Sequence, residues 1–247
     1  MSRTVKVLIG AVVGVAVLVV GVAVLVTVGP WVYINVIRTP ADESFVDQLT
    51  TTSLAEMSAA TDTSIANTDA AQTSIDTATG TWKVAAGSQV GYRVEEVLFG
   101  QNVTAVGRSN TVTGSVTVDD LTVTEATFVV DMTTIKSDDS RRDAQFESRI
   151  MDVLNFPTAA FSLDSPITLA ASSLSGTATH TGTGTLTLRG TTKPVEVVVV
   201  STIRDGNIVI AGEITIIFAE WEIPNPSIPG ISTQDSGLLE FQLVLER

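Results

Sequence analysis

The chain has 247 residues, of which 14 are Lys or Arg and 27 are Asp or Glu, so its formal net charge is −13. This acidity argues against nucleic-acid binding, because contacts to phosphates need a basic face. The chain has no Cys and one His, which excludes disulfide frameworks, thiolate nucleophiles and Cys- or His-rich metal sites. The mean hydropathy is nevertheless positive, so the apolar residues must be concentrated in particular segments.

The first such segment covers residues 7–28, which are almost all Val, Leu, Ile, Ala and Gly. At roughly 1.5 Å per residue, a helix over this range is about 33 Å long, enough to cross a hydrocarbon core of about 30 Å. Trp31 and Tyr33 follow at the depth of an aromatic belt. Basic residues precede the segment and acidic residues follow it. The positive-inside rule therefore predicts that residues 1–6 are cytoplasmic and that the rest of the chain lies outside the cytoplasm.

A cleaved signal peptide is the competing interpretation of this segment. The apolar run exceeds the roughly 7–15 residues of a signal-peptide core, and the Gly-Pro-Trp-Val-Tyr that follows at 29–33 offers no small-residue cleavage pattern. We therefore predict an uncleaved, single-pass membrane anchor.

Residues 29–79 are predicted to form a flexible tether. From Thr39 to Gly80 the chain is rich in Thr, Ser, Ala and Asp and contains no Lys or Arg. So few large apolar residues cannot bury enough surface to offset the entropy of ordering. Phe45, Leu49 and Leu54 lie at a faint helical spacing that leaves room for a short helix. A solvated spacer is the interpretation that we prefer.

Residues 80–247 alternate apolar and polar side chains with period two, which is typical of half-buried antiparallel strands. A helix is predicted over residues 139–154, with Asp138 or Asp139 as its N-cap. Eight strands with one short helix favour an all-β, eight-stranded antiparallel barrel, with a sandwich as the alternative. The predicted strands cover residues 88–98, 108–118, 121–132, 158–168, 174–189, 194–204, 207–219 and 237–246.

Two of these strands are apolar on both faces, at residues 195–200 and 214–218. Strands of this kind are buried on both sides. One face should therefore line the interior of the barrel while another element covers the other face. We predict that the helix at 139–154 provides this cover.

Several segments of the domain, taken in order, resemble the YceI-like family. The most recognisable is Gly-Thr-Leu-Thr-Leu-Arg-Gly-Thr-Thr-Lys-Pro-Val at 184–195, and the others lie at 82–84, 87–94, 112–116, 128–132 and 156–161. The resemblance covers residues 80–247. It implies a lipocalin-like barrel that holds a long isoprenoid-type lipid, with no catalytic residues. The chain departs from the family pattern at Glu95 or Glu96, where the family often has His, and at residues 218–224.

The inward positions of the barrel are the candidate ligand-binding residues. They are the apolar members of alternating strands: Tyr92, Val94, Phe128, Val130, Leu186, Leu188, Val197, Val199, Phe241 and Leu243. In the competing interpretation the same residues simply fill the core of the barrel. Among inward positions, Gly91, Gly114 and Ala126 leave room, whereas the aromatic residues take it away.

We predict no catalytic residue, metal site or cofactor. The cluster Asp138, Asp139, Arg142 and Asp143 is interpreted as the charged start of a helix, because no calcium-loop spacing follows it. His180 has no Ser and Asp partners in a recognisable triad pattern. The predicted function is a membrane-anchored, extracytoplasmic module that binds an apolar-chain lipid of polyprenyl type. A structural or protein-interaction barrel of the cell envelope is the alternative, and an enzyme with converging polar groups is the third.

Overall fold

The computed structural model describes residues 41–59, 78–169 and 176–247, together with the isolated positions 22, 28, 29, 31, 32 and 34. Within these residues, no helix has the length and apolar character needed to cross a bilayer. The anchor predicted over residues 7–28 lies outside the described residues, apart from positions 22 and 28.

The described part of the chain contains a helix followed by a long run of strands, with a second, short helix between the sixth and seventh strands. The helices are α1 (Phe45–Ala59) and α2 (Ser140–Gln145), and a π-helical turn (Phe146–Ile150) continues α2. The strands are β1 (Gly80–Val84), β2 (Gln89–Leu98), β3 (Gln101–Ser109), β4 (Val112–Asp119), β5 (Thr122–Asp131), β6 (Lys136–Ser137), β7 (Thr158–Leu163), β8 (Ile167–Thr168), β9 (Ala178–Leu188), β10 (Thr191–Arg204), β11 (Asn207–Ile217), β12 (Ile231–Thr233) and β13 (Ser236–Glu246).

The strands close into an antiparallel barrel. The hydrogen-bonded order is β1-β4-β5-β7-β9-β10-β11-β13, and pairing of β13 with β1 closes the ring of eight. Because β13 also pairs with β2, and β2 with β3, the pairs β1/β2 and β3/β4 each act as one bent barrel strand. The predicted eight-stranded barrel is therefore confirmed.

Tight two-residue turns set the register of the hairpins. At the turn between β10 and β11, Arg204 pairs with Asn207, and Asp205 and Gly206 have φ of 51° and 80°. Two successive positive φ angles define a type I′ turn, whose twist matches that of the flanking strands and whose second position suits Gly. The sequence Arg-Asp-Gly-Asn at 204–207 is typical of such a hairpin turn.

The first two barrel strands are longer than predicted, and each is bent. The prediction began them at residues 88 and 108, whereas the structure adds β1 before the first and starts β3 at Gln101. The bend between β1 and β2 is fixed by Ser88, whose hydroxyl donates to the carbonyl of Ala85 at 2.8 Å and accepts from the amide of Val244 at 3.0 Å. The alternation of apolar and polar residues did not reveal β1, because the bend between β1 and β2 interrupts the period of two.

The helix predicted at 139–154 is shorter than expected, and it lies at one end of the barrel instead of against the outer face. Asp139 caps α2, accepting from the amide of Arg141 at 2.8 Å, as one of the two predicted caps. Phe146 and Met151 are buried in the same apolar cluster as Leu188 and Ile214, two residues that face the interior. This segment therefore closes one end of the barrel. The prediction that it covers the outer faces of β10 and β11 is wrong.

The cover of those outer faces is α1. Phe45, which is 1% exposed, and Leu49 pack against Val200, Val209 and Ala211 on the outside of β10 and β11. At residues 45–49 the predicted solvated spacer is therefore wrong, because the apolar outer faces provide a partner that the sequence of α1 by itself does not show. Residues 60–77 of the predicted tether lie outside the described residues.

A buried ion cluster fixes the start of α1 on the barrel. The carboxylate of Glu240 is 0% exposed and accepts from Nε of Arg93 at 3.1 Å and from Nη2 of Arg108 at 3.0 Å. The same guanidinium groups donate to the backbone oxygens of Asp42 at 2.6 Å and Glu43 at 3.0 Å. Two arginines thus satisfy a buried carboxylate and hold the chain that leads into α1.

Candidate functional site

The interior of the barrel is an apolar cavity of about 280 Å³, close to the lower limit of roughly 300 Å³ for small-molecule sites. All ten residues selected from the sequence line it: Tyr92, Val94, Phe128, Val130, Leu186, Leu188, Val197, Val199, Phe241 and Leu243. Their placement around one cavity follows the alternation of the strands. That they bind a ligand stays a prediction.

Glycines on neighbouring strands make room for the inward aromatic rings. Tyr92 pairs across the sheet with Gly107, and a Cβ on Gly107 would lie only 2.7 Å from Cζ of Tyr92. The ring therefore lies directly on the backbone of the next strand. The same arrangement joins Phe128 to Gly114 and Phe241 to Gly212, and the ring of Phe161 lies against Gly184, its diagonal neighbour on β9. Because these rings rest on the wall of the barrel, its centre stays open despite four large side chains.

One end of the cavity is closed by the segment that follows α2. Phe146 stacks on Tyr92 with ring centroids 5.2 Å apart and an interplanar angle of 15°. Ile150 and Met151 also line the cavity from this segment. Offset stacking and apolar contact at this end give the cavity a packed floor.

The floor also carries the two formally charged side chains among the described residues that line the cavity, Glu96 and Arg142. Nη2 of Arg142 lies 4.0 Å from Oε2 of Glu96, and the side chains are 20% and 12% exposed. Arg142 forms a second ion pair with Asp138. Sequence analysis placed Arg142 at a helix start but did not assign Glu96 to the interior. Glu96 lies two residues after Val94 and four residues after Tyr92. This period of two was the signal that could have placed Glu96 in the interior.

Tyr92 adds a hydroxyl group to the floor. Burial raises the pKa of this phenol above its ordinary value, and the nearby Arg142 opposes the rise. The hydroxyl therefore keeps its proton at neutral pH and can donate a hydrogen bond.

Asp143 ties α2 to β6. Its Oδ1 accepts from the amide of Ser137 at 2.8 Å and from the hydroxyl of Ser137 at 2.7 Å.

His180 lies in β9, paired with Val199, and lines the cavity. Burial lowers the pKa of this imidazole, which favours its neutral form. Across the described ranges 41–59, 78–169 and 176–247, no three His, Cys, Asp or Glu side chains are grouped so as to hold a metal ion.

A family model for the YceI-like domain matches residues 82–245. The chain belongs to the YceI-like family. This confirms the resemblance seen in the sequence over almost the same range. No curated protein matches the chain.

Solved structures share the barrel at low sequence identity. A polyisoprenoid-binding domain from Saccharophagus degradans, described as implicated in plant cell wall breakdown, is 12% identical with a TM-score of 0.53, over 68% of this chain and 98% of that one. BcnA from Burkholderia cenocepacia is 20% identical with a TM-score of 0.51, over 65% and 98% of the two chains. At these identities the likeness supports the fold.

Proposed function

We propose that the barrel holds an apolar-chain lipid of polyprenyl type without changing it chemically. The observation that carries the proposal is the apolar cavity kept open by aromatic rings resting on glycines. The Saccharophagus degradans domain with the same fold is described as polyisoprenoid-binding, which supports a ligand of this class.

The energetics of such binding come from buried area. Each methylene removed from water contributes about 0.8 kcal/mol, so ten contribute roughly 8 kcal/mol, comparable to micromolar affinity before ordering costs. This explains how a lining with few polar groups can retain a chain lipid.

Mass spectrometry of an organic extract of the purified full chain tests whether the protein carries a bound lipid. We expect a polyprenyl compound in the extract, and loss of it in Val197→Trp, because Val197 is 4% exposed and lines the cavity. Its neighbour Val198 is 45% exposed and points outward, so Val198→Trp is the matched control and should retain the lipid.

The proposal is wrong if the folded protein carries no lipid and takes up none from a bilayer that contains polyprenol. The structural or protein-interaction barrel would then be the better interpretation.

We further propose that residues 7–28 anchor the barrel to the membrane with the barrel outside the cytoplasm. The support is the charge distribution around that segment. Protease added to intact cells should release a soluble fragment that contains the barrel. A barrel that is protected until the cells are lysed would contradict this orientation.

A further inference from the structure

The cavity has one polar end, where the single cation already has carboxylate partners. Arg142 is the cation there, and it faces Glu96 from β2 and Asp138 from the residues before α2. Ser137 links this group to Asp143, because its hydroxyl donates to Asp143 and accepts from Nη1 of Arg142 at 3.5 Å. One positive charge therefore stands among three carboxylates.

Neighbouring charged groups do not change this balance. Arg141 pairs with its own partner, Asp139, at 2.9 Å, and Lys136 pairs with Glu147. Each of these pairs is neutral in sum. Only Glu96 and Arg142 of this group line the cavity itself, so the floor that a head group meets carries one charge of each sign, already paired, while the walls above it are apolar.

An anionic head group would be unfavourable at this position. It would lose its hydration, meet the carboxylates, and find the guanidinium of Arg142 already compensated by two of them. An uncharged head group avoids the repulsion and still finds hydrogen-bonding groups. The Tyr92 hydroxyl and the Arg142 guanidinium can donate, and the Glu96 carboxylate can accept.

We infer that this end of the cavity selects an apolar-chain lipid whose head group is uncharged and hydrogen-bonding, such as an alcohol or a carbonyl, over the same chain ending in phosphate or diphosphate. The inference rests on the proposed function. The head group lies against Tyr92, Glu96 and Arg142, and the chain extends along the apolar walls toward the end at which His180 lies.

Three lipids with one shared chain test the inference: geranylgeraniol, geranylgeranyl diphosphate and geranylgeranylamine. Binding of each to the purified full chain is measured by equilibrium retention, below the concentration at which the lipid aggregates. We expect the alcohol to bind at least about tenfold more tightly than the diphosphate. We expect it also to bind more tightly than the amine, whose cation must be desolvated in an apolar cavity and finds the carboxylate of Glu96 already paired with Arg142.

Adjacent residues of β2 provide a matched pair of variants. Glu96 lines the cavity, whereas Glu95 points outward and accepts from the hydroxyl of Thr104 at 2.9 Å. Glu96→Gln removes one carboxylate from the floor and should narrow the gap between alcohol and diphosphate by about tenfold. Glu95→Gln should leave the gap unchanged.

The outcomes separate the two proposals. If none of the three lipids binds, the proposed function itself fails. If lipids bind but the diphosphate or the amine binds as tightly as the alcohol, the proposed function stands and the head-group inference is overturned. Equal effects of Glu96→Gln and Glu95→Gln would likewise overturn it.

Discussion

Gly107 is the position at which a single methyl group should reveal how the cavity is kept open. A Cβ there would lie 2.7 Å from Cζ and 2.9 Å from Oη of Tyr92, whereas carbon atoms in contact normally keep about 3.5–4.0 Å apart. The ring must therefore move by about 1 Å. Phe146 stacks on the ring at 5.2 Å, so the movement is directed into the cavity. Overpacking of this kind typically costs about 1–3 kcal/mol.

The assay combines denaturant unfolding with lipid retention. In Gly107→Ala we expect the free energy of unfolding to fall by about 1–3 kcal/mol and the amount of extracted lipid to fall with it. Gly176→Ala is the control, because a Cβ on Gly176 meets no atom within 4 Å. Adding Tyr92→Leu to Gly107→Ala should recover part of the lost stability, since the two positions contact each other and are expected to couple.

The reasoning would be refuted by a Gly107→Ala variant that keeps both wild-type stability and wild-type lipid retention. It would also be refuted if Tyr92→Leu and Gly107→Ala reduced stability additively. In either case the contact between ring and glycine would not determine the shape of the cavity.

Three further predictions concern the outside of the barrel and its short helix. Glu240→Gln should lower the free energy of unfolding by about 3 kcal/mol, because two partly buried guanidinium groups lose the buried carboxylate that they share and Arg108 keeps only the exposed carboxylate of Asp42 at 3.6 Å. The exposed Glu246→Gln should change it little, and denaturant unfolding measures both. Phe45→Ala should release α1 from the barrel, observed as faster proteolysis within residues 45–59, and an unchanged cleavage rate would contradict the packing described for α1. The hydrogen bonds from Arg141 lower the pKa of Asp139 to about 2, below about 3.9 in the unfolded chain, so its contribution to stability is present above about pH 4 and is lost as the pH falls toward 2. Thermal melts at these two pH values should therefore differ less for Asp139→Asn than for the wild type, and an equal difference would contradict the assigned interaction.

The local sequence pattern was sufficient to predict most strands of the barrel and the residues that face its interior. Period-two alternation carries over directly into which side chains face inward, because successive residues of a strand point to opposite faces. Leu186 and Leu188 on β9, and Val197 and Val199 on β10, were selected on that basis and all line the cavity. The Asp-Gly pair at 205–206 is by itself the sequence that a type I′ hairpin turn favours.

The position of α1 could not be predicted in the same way. Phe45 and Leu49 are too few to form a core by themselves, so composition suggested a spacer. Their burial depends on Val209 and Ala211, which are distant in the sequence and belong to another strand. The ion cluster around Glu240 likewise joins groups from two other strands and from the chain before α1.

The sequence by itself determined the all-β class, the strand faces and the family, since each of these depends on order and spacing along the chain. Tertiary structure alone decided whether the barrel is filled or hollow. When inward residues are only counted, Gly114 adds space to the interior and Phe128 removes it. In the structure the ring of Phe128 lies directly against Gly114, so it fills the space left by the glycine and not the centre of the barrel. That outcome depends on cross-strand register, which brings the two residues opposite one another, and register is a property of paired strands.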